Sequence, residues 1–139
     1  MKEPNKKTDI LLIEDNSDDI YLIGIALKEL NINHSLKVIN NGKVALDFLI
    51  NQKKNNNFLP DLILLDINLP MINGLDVLKK IKINKNTSNI PTVIFTSSDS
   101  ALDVNYSYRT GADLFVRKPN NINNLKEINK YINEYCLRS

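Results

Sequence analysis

Five polar side chains close apolar runs in this sequence, and their types belong to one chemistry. Glu14 and Asp15 close DILLIED (9–15), Asp66 closes DLILLD (61–66), Thr96 closes TVIFT (92–96), and Lys118 closes DLFVRK (113–118). Carboxylates packed together repel and raise one another's pKa unless a cation intervenes. Ligands made only of oxygen select a hard ion, and Mg2+ is typically held by one or two carboxylates plus phosphate oxygen and water. Asp15 and Asp66 are expected as direct ligands and Glu14 as a ligand through water, with the backbone carbonyl of Asn68 completing the shell. A phosphoryl group can then approach an otherwise anionic site, and Asp66 is the carboxylate placed to attack it and form an acyl phosphate. Lys118 and the Thr96 hydroxyl would stabilise the phosphoryl oxygens. Taken singly, an acid after a strand usually faces solvent and a lone Thr or Lys usually does nothing special. The joint placement is what points to a site.

That placement requires a particular scaffold. Three of the runs are nearly continuous in Ile, Leu, Val and Phe, which suits strands of a parallel sheet covered on both faces. A weaker run, SLKVI (35–39), alternates and reads as an edge strand. Helical spacing fills the gaps between runs. Ser17 is a plausible N-cap, with Asp18 and Asp19 in a first turn where the helix dipole favours acids, and Ile20, Ile23, Leu27 and Leu30 mark one face. Gly42–Ile50 repeats the pattern through Ala45, Phe48 and Leu49, and Gly74–Ile83 through Leu75, Leu78 and Ile81. A fourth helix, from about Ser100 to Thr110, stops at Gly111, and a fifth spans about Asn121–Leu137 with Leu125, Ile128, Ile132 and Tyr135 inward. Strand and helix alternate five times, so right-handed crossovers and helices on both faces of one parallel sheet are expected. Ligands of such sheets collect at the carboxyl ends of the strands, where the five polar residues fall.

Composition narrows the function classes. At 139 residues there is room for one domain, and 42% hydrophobic with 24% charged residues is the balance of an ordinary globular protein with a real core. A net charge of +2, from 18 basic and 16 acidic residues, is too near neutral to indicate direct nucleic-acid binding. The opening residues lack the apolar stretch of a secretory signal, and no run reaches the length of a membrane span. The single cysteine, Cys136, has no partner for an intrachain disulfide, so a reducing cytoplasm is the expected compartment. The patch NQKKNNN (51–57) reads as a polar surface loop without chemistry.

On these residues the chain resembles the receiver domain of two-component response regulators over nearly its whole length. LLIEDN (11–16) is similar to that family's acidic pair, and DLILLDINLPMINGLDVL (61–78) to its phosphoacceptor strand and following Pro-Gly loop. TS (96–97) is similar to its hydroxyl switch and FVRKP (115–119) to its Lys-Pro signature. The resemblance implies an α/β, flavodoxin-like (βα)5 three-layer sandwich with five parallel strands ordered 2-1-3-4-5, a tail over 1–8 and a receiver domain over 9–139. It also implies a cis Lys118–Pro119 peptide. Asp66 becomes the phosphorylated aspartate, Glu14 and Asp15 the Mg2+ acids, and Asn68 the backbone-carbonyl ligand. Thr96 becomes the switch hydroxyl, Phe115 the switch aromatic, and Lys118 the phosphoryl-binding lysine. Position alone would leave Phe115 as a core aromatic. Asn68 and Ser98 stand where the family tunes dephosphorylation.

The implied function is that of a single-domain regulator, not a turnover enzyme. A histidine kinase or phosphotransfer protein supplies the phosphoryl group, and the surface of the fourth helix, fifth strand and fifth helix carries the response to an unknown downstream protein. The EDNSDD opening and the polar 51–57 loop are similar to regulators that partner phytochrome-type kinases, and a homodimer through the fourth and fifth helices is compatible with the family. Tyr106 and Tyr108 are candidate contact residues, although packing of at least one in the core is the simpler expectation. Three rivals follow from the same residues. A small Asp-nucleophile phosphatase usually has a second Asp two residues on, where this chain has Asn68. A flavodoxin-like cofactor protein would place a phosphate against the acids after the first strand. A receiver-like protein that binds without phosphorylation would have no need of the intact acidic pair, Thr96 and Lys118.

Overall fold

A computed structural model of the chain describes residues 7–50, 59–98 and 100–118, together with Lys126 and Lys130, both helical. Five parallel strands form one sheet in the order β2-β1-β3-β4-β5: β1 (Thr8–Ile13), β2 (His34–Ile39), β3 (Leu62–Leu65), β4 (Thr92–Thr96) and β5 (Leu114–Arg117). Four α-helices alternate with them: α1 (Ser17–Glu29), α2 (Gly42–Leu49), α3 (Gly74–Ile83) and α4 (Ala101–Thr110). The expected flavodoxin-like fold and strand order are thus observed, and β1 begins one residue before the expected domain start. Of the expected fifth helix only Lys126 and Lys130 are among the described residues, and the polar 51–57 loop, Pro119 of the Lys118–Pro119 peptide and Cys136 lie outside them.

The central strands are apolar throughout because successive residues serve opposite faces, and both faces are covered. Ile10, Leu12, Leu62, Leu64, Val93 and Phe95 point to the face packed by Ile23, Ala26 and Leu27 of α1. Leu11, Ile13, Ile63, Leu65 and Ile94 point to the other, packed by Ala45, Leu46 and Leu49 of α2 and by Val77, Leu78 and Ile81 of α3. Burying a large aliphatic side chain of this kind contributes about 1.5–3 kcal/mol. β2 lies at the sheet edge and is the least buried of the strands on the α1–α2 side, as its alternating sequence suggests.

Local chemistry sets the helix ends. Asn16, rather than Ser17, caps α1: its side-chain oxygen accepts the Asp19 N–H at 3.0 Å, which makes Ser17 the first helical residue. Asn41, Asn73 and Ser100 cap the other three helices in the same way. α4 ends at Gly111, whose φ of 122° is in the region that favours glycine. Val77 takes a fully buried place on α3, while Leu75 is only partly buried. The expectation that Tyr106 or Tyr108 packs in the core is corrected: they are 40% and 46% exposed. Ser107 between them occupies the inward position, its hydroxyl donating to the Asp103 carbonyl at 2.7 Å.

The amino ends of the strands are closed by polar contacts. Lys82 at the end of α3 donates to the Ile90 carbonyl at 2.8 Å and the Ser88 carbonyl at 3.2 Å, and its ammonium lies 3.6 Å from Asp113. Burial pushes its pKa down, against the pull of Asp113. Among the described residues, no helix is long and apolar enough to cross a membrane.

Candidate functional site

The sheet ladder itself delivers three of the predicted residues to one edge. Past the last strand residues, Glu14 N–H donates to the Ile39 carbonyl and Asp66 N–H to the Ile13 carbonyl, both at 3.1 Å, and Lys118 N–H donates to the Thr96 carbonyl at 2.7 Å. These rungs fix where the backbone stops being strand, and therefore where each polar side chain emerges.

Glu14, Asp15 and Asp66 each present an oxygen within 4.8 Å of the others. Asp15 is exposed, whereas Glu14 is fully buried and Asp66 is 3% exposed. Glu14 Oε2 accepts the Asp15 and Asn16 N–H groups at 3.1 and 3.2 Å. Asp66 Oδ1 accepts the Asn68 N–H at 3.2 Å, and Oδ2 accepts from Lys118 Nζ at 3.0 Å. Lys118 Nζ also stands 2.7 Å from Glu14 Oε1 and 2.8 Å from Asp19 Oδ2. The contact with Oε1 is out of line for a hydrogen bond, so that buried oxygen has a neighbouring charge but no donor.

The cleft they line has a volume of about 750 Å3 and is bounded by Glu14, Asp15, Asn16, Ser17, Asp19, Asp66, Asn68, Ser97 and Lys118. Four carboxylates in that lining face one ammonium. Burial, and then the negative charge of Asp66, raise the Glu14 pKa to about 7 although Lys118 pulls it down. Burial disfavours the charged form of Lys118, but the surrounding carboxylates of Asp19, Glu14 and Asp66 outweigh it and hold the ammonium above its ordinary range. An excess of carboxylate, an oxygen-only donor set and an orphaned buried Glu14 oxygen together fit a hard divalent cation.

The remaining predicted residues divide. Asn68 lines the cleft, but Thr96 does not: it is fully buried, with its hydroxyl oxygen 3.4 Å from the Ser98 N–H, and Ser97 takes the lining position. Ser98 is turned toward α4, donating to Asp103 Oδ2 at 2.6 Å. Phe115 is partly buried against the α2–α3 side of the core, and its N–H donates to the Tyr108 hydroxyl at 2.9 Å. Asp19 is a member of the site that the sequence reading left as a dipole-favoured acid. A signal for it was present: three residues beyond the cap, a helical side chain points back over the helix N-terminus, toward Glu14–Asn16.

Comparison with known proteins follows the same geometry. Response regulator Rcp1 of Synechocystis sp. is 36% identical over 138 residues, covering 99% of this chain and 94% of that protein. The phosphorylated cyanobacterial phytochrome response regulator RcpA superposes with a TM-score of 0.81 at 34% identity, covering 95% of each chain. The Mn2+-bound form of Rcp1 superposes with a TM-score of 0.78 at 35% identity, covering 95% of this chain and 96% of the other. The family model for the response regulator receiver domain matches residues 10–130. This chain therefore belongs to the response regulator receiver domain family of two-component signalling.

Proposed function

We propose that this protein is a single-domain response regulator whose Asp66 takes a phosphoryl group from a histidine kinase or phosphotransfer protein in a Mg2+-dependent step. The observation that carries the reading is the Lys118 ammonium held 3.0 Å from Asp66 Oδ2, beside three carboxylates whose oxygens lie within 4.8 Å. We place the receiver domain over residues 9–139, a reading supported by the family model, which matches residues 10–130. Coverage of 94% of Rcp1 supports the single-domain reading, and likeness to phytochrome response regulators favours a phytochrome-type kinase as donor. A cytoplasmic site of action fits such a donor.

In transfer, an Asp66 carboxylate oxygen forms a bond to phosphorus as the P–N bond of the donor phosphohistidine breaks, and the departing imidazole keeps the electron pair. Lys118 already bonds the acceptor carboxylate and can pair with the incoming phosphoryl oxygens. The Asn68 N–H on Asp66 Oδ1 orients the carboxylate. Asp15, Asp66 and the Asn68 carbonyl would hold Mg2+ directly and Glu14 through water, and when bound the ion offsets phosphoryl charge. Thr96 must swing its hydroxyl from the Ser98 N–H toward the phosphoryl group, and Phe115 would fill the space it leaves. The response would appear on the surface of α4, β5 and the segment over 121–137. This chemistry modifies the protein itself and does not turn over an external substrate.

Intact-mass spectrometry of wild type and Asp66→Asn with acetyl phosphate, with and without Mg2+, tests the proposal. The expected result is one hydroxylamine-labile phosphoryl adduct, in wild type only and only with Mg2+. Absence of any adduct, together with no response to beryllofluoride, would replace this reading with a phosphorylation-independent binding protein.

A further inference from the structure

The acid that sequence reasoning passed over stands in a different relation to Lys118 from the other two. An ammonium has three N–H donors, and three carboxylate oxygens stand around Lys118 Nζ: Glu14 at 2.7 Å, Asp19 at 2.8 Å and Asp66 at 3.0 Å. Glu14 and Asp66 belong to the cluster able to hold a cation, and Asp19 does not. A metal in that cluster competes with Lys118 for Glu14 and Asp66 but leaves the Asp19–Lys118 pair in place. A phosphoryl group on Asp66 must then share the Lys118 ammonium with Asp19.

We propose that Asp19 is a positioning residue, the resting partner of Lys118, whose carboxylate competes with the phosphoryl group for the ammonium and so opposes the phosphorylated state. The inference rests on the phosphoacceptor reading of Asp66. Burial decides which carboxylate yields. The Glu14 side chain is 0% exposed and the Asp19 side chain 26%, so Asp19 alone can pass into water at low desolvation cost when Lys118 turns to the phosphoryl group. Nor is Asp19 needed as a cap, because Asn16 already caps α1. Its neighbour Asp18 is exposed in the same helical turn and supplies an internal control for charge alone.

The test titrates beryllofluoride, a phosphoryl analogue, into full-length protein at saturating Mg2+, comparing wild type with Asp19→Asn, Asp19→Ser, Asp19→Glu and Asp18→Asn. The expected result is that Asp19→Asn and Asp19→Ser bind beryllofluoride about three- to tenfold more tightly, the scale of one exposed-to-half-buried ion pair. Asp19→Glu should stay near wild type, because it keeps the competing charge, and Asp18→Asn should change affinity by less than about twofold. The serine variant keeps the test available if the asparagine variant does not fold. Unchanged or weaker binding in the Asp19 variants would overturn the proposal, as would equal effects of Asp18→Asn and Asp19→Asn, or Asp19→Glu binding as tightly as Asp19→Asn. No beryllofluoride binding by the wild type would instead count against the phosphoacceptor reading itself.

Discussion

Gly74 stands so close to Asp66 that a side chain at position 74 would overlap the Asp66 carbonyl oxygen. The first residue of α3 returns against the end of β3, and the Gly74 N–H donates to the Ile67 carbonyl at 2.8 Å. A Cβ there would also lie 2.6 Å from Ile67 Cα, and backbone cannot give way as a flexible side chain can. Gly74→Ala is expected to cost about 1–3 kcal/mol in chemical denaturation and to slow acetyl phosphate labelling of Asp66. Gly24 provides the contrast: in α1, with nothing within 4 Å of its added Cβ, alanine should stabilise by about 0.5–1 kcal/mol. Equal effects of the two substitutions would contradict the close approach.

Metal affinity should follow the Glu14 proton. A carboxyl whose folded pKa is raised binds its proton more tightly in the fold than in the unfolded chain. Glu14 thus contributes stability that is fully present below 4.5 and lost as the pH rises through about 7. A cation must displace that proton over the same window, so Mg2+ affinity should climb up to about tenfold per pH unit below 7 and level off above. Calorimetry in buffers of differing ionisation enthalpy should detect proton release at about pH 6 and little at about pH 8.5. Glu14→Gln should flatten the profile, and a flat profile in wild type would refute the coupling.

Lys118→Met would leave Glu14 and Asp66 buried beside each other without their cation. Removing one partner of a buried ion pair costs about 3–5 kcal/mol, and here the loss should be greatest at alkaline pH, where both carboxyls are driven to ionise. Added Mg2+ should restore part of it. Urea melts at acid and alkaline pH, with and without Mg2+, would show the difference; a loss independent of both pH and metal would point to packing alone.

Tyr108→Phe should affect one amide above all. The Tyr108 hydroxyl accepts the Phe115 N–H at 2.9 Å on the side of β5 away from β4, tying α4 to the strand of the expected switch aromatic. Losing that acceptor should speed hydrogen exchange at Phe115 by up to about tenfold while leaving the β4–β5 ladder protected. Uniform acceleration across β5 would mean that the hydroxyl holds the whole strand.

Much of the fold was legible because its signals are local or periodic. LILL of β3 and TVIFT of β4 serve both faces of the sheet, a pattern that few arrangements other than a covered parallel sheet satisfy, and Glu14, Asp66 and Lys118 stand where β1, β3 and β5 stop. Finer placements were not legible. Asn16 and Ser17 are both good caps, and only the 3.0 Å reach to the Asp19 N–H decides between them. The rotation of α3 that buries Val77 more deeply than Leu75, and that of α4 that turns Ser107 inward, follow from neighbouring elements rather than from helical spacing.

The sequence by itself therefore determined the order of elements and the donor types brought to one sheet edge, since both depend on residue type and spacing along the chain. Tertiary structure alone decided the Asp19–Lys118 pair, the burial of Thr96 away from the cleft and how far burial raises the Glu14 pKa. Each of these depends on distance and burial between segments far apart in sequence, where a change of an ångström or the exclusion of water changes the energy of a charge by more than any local preference.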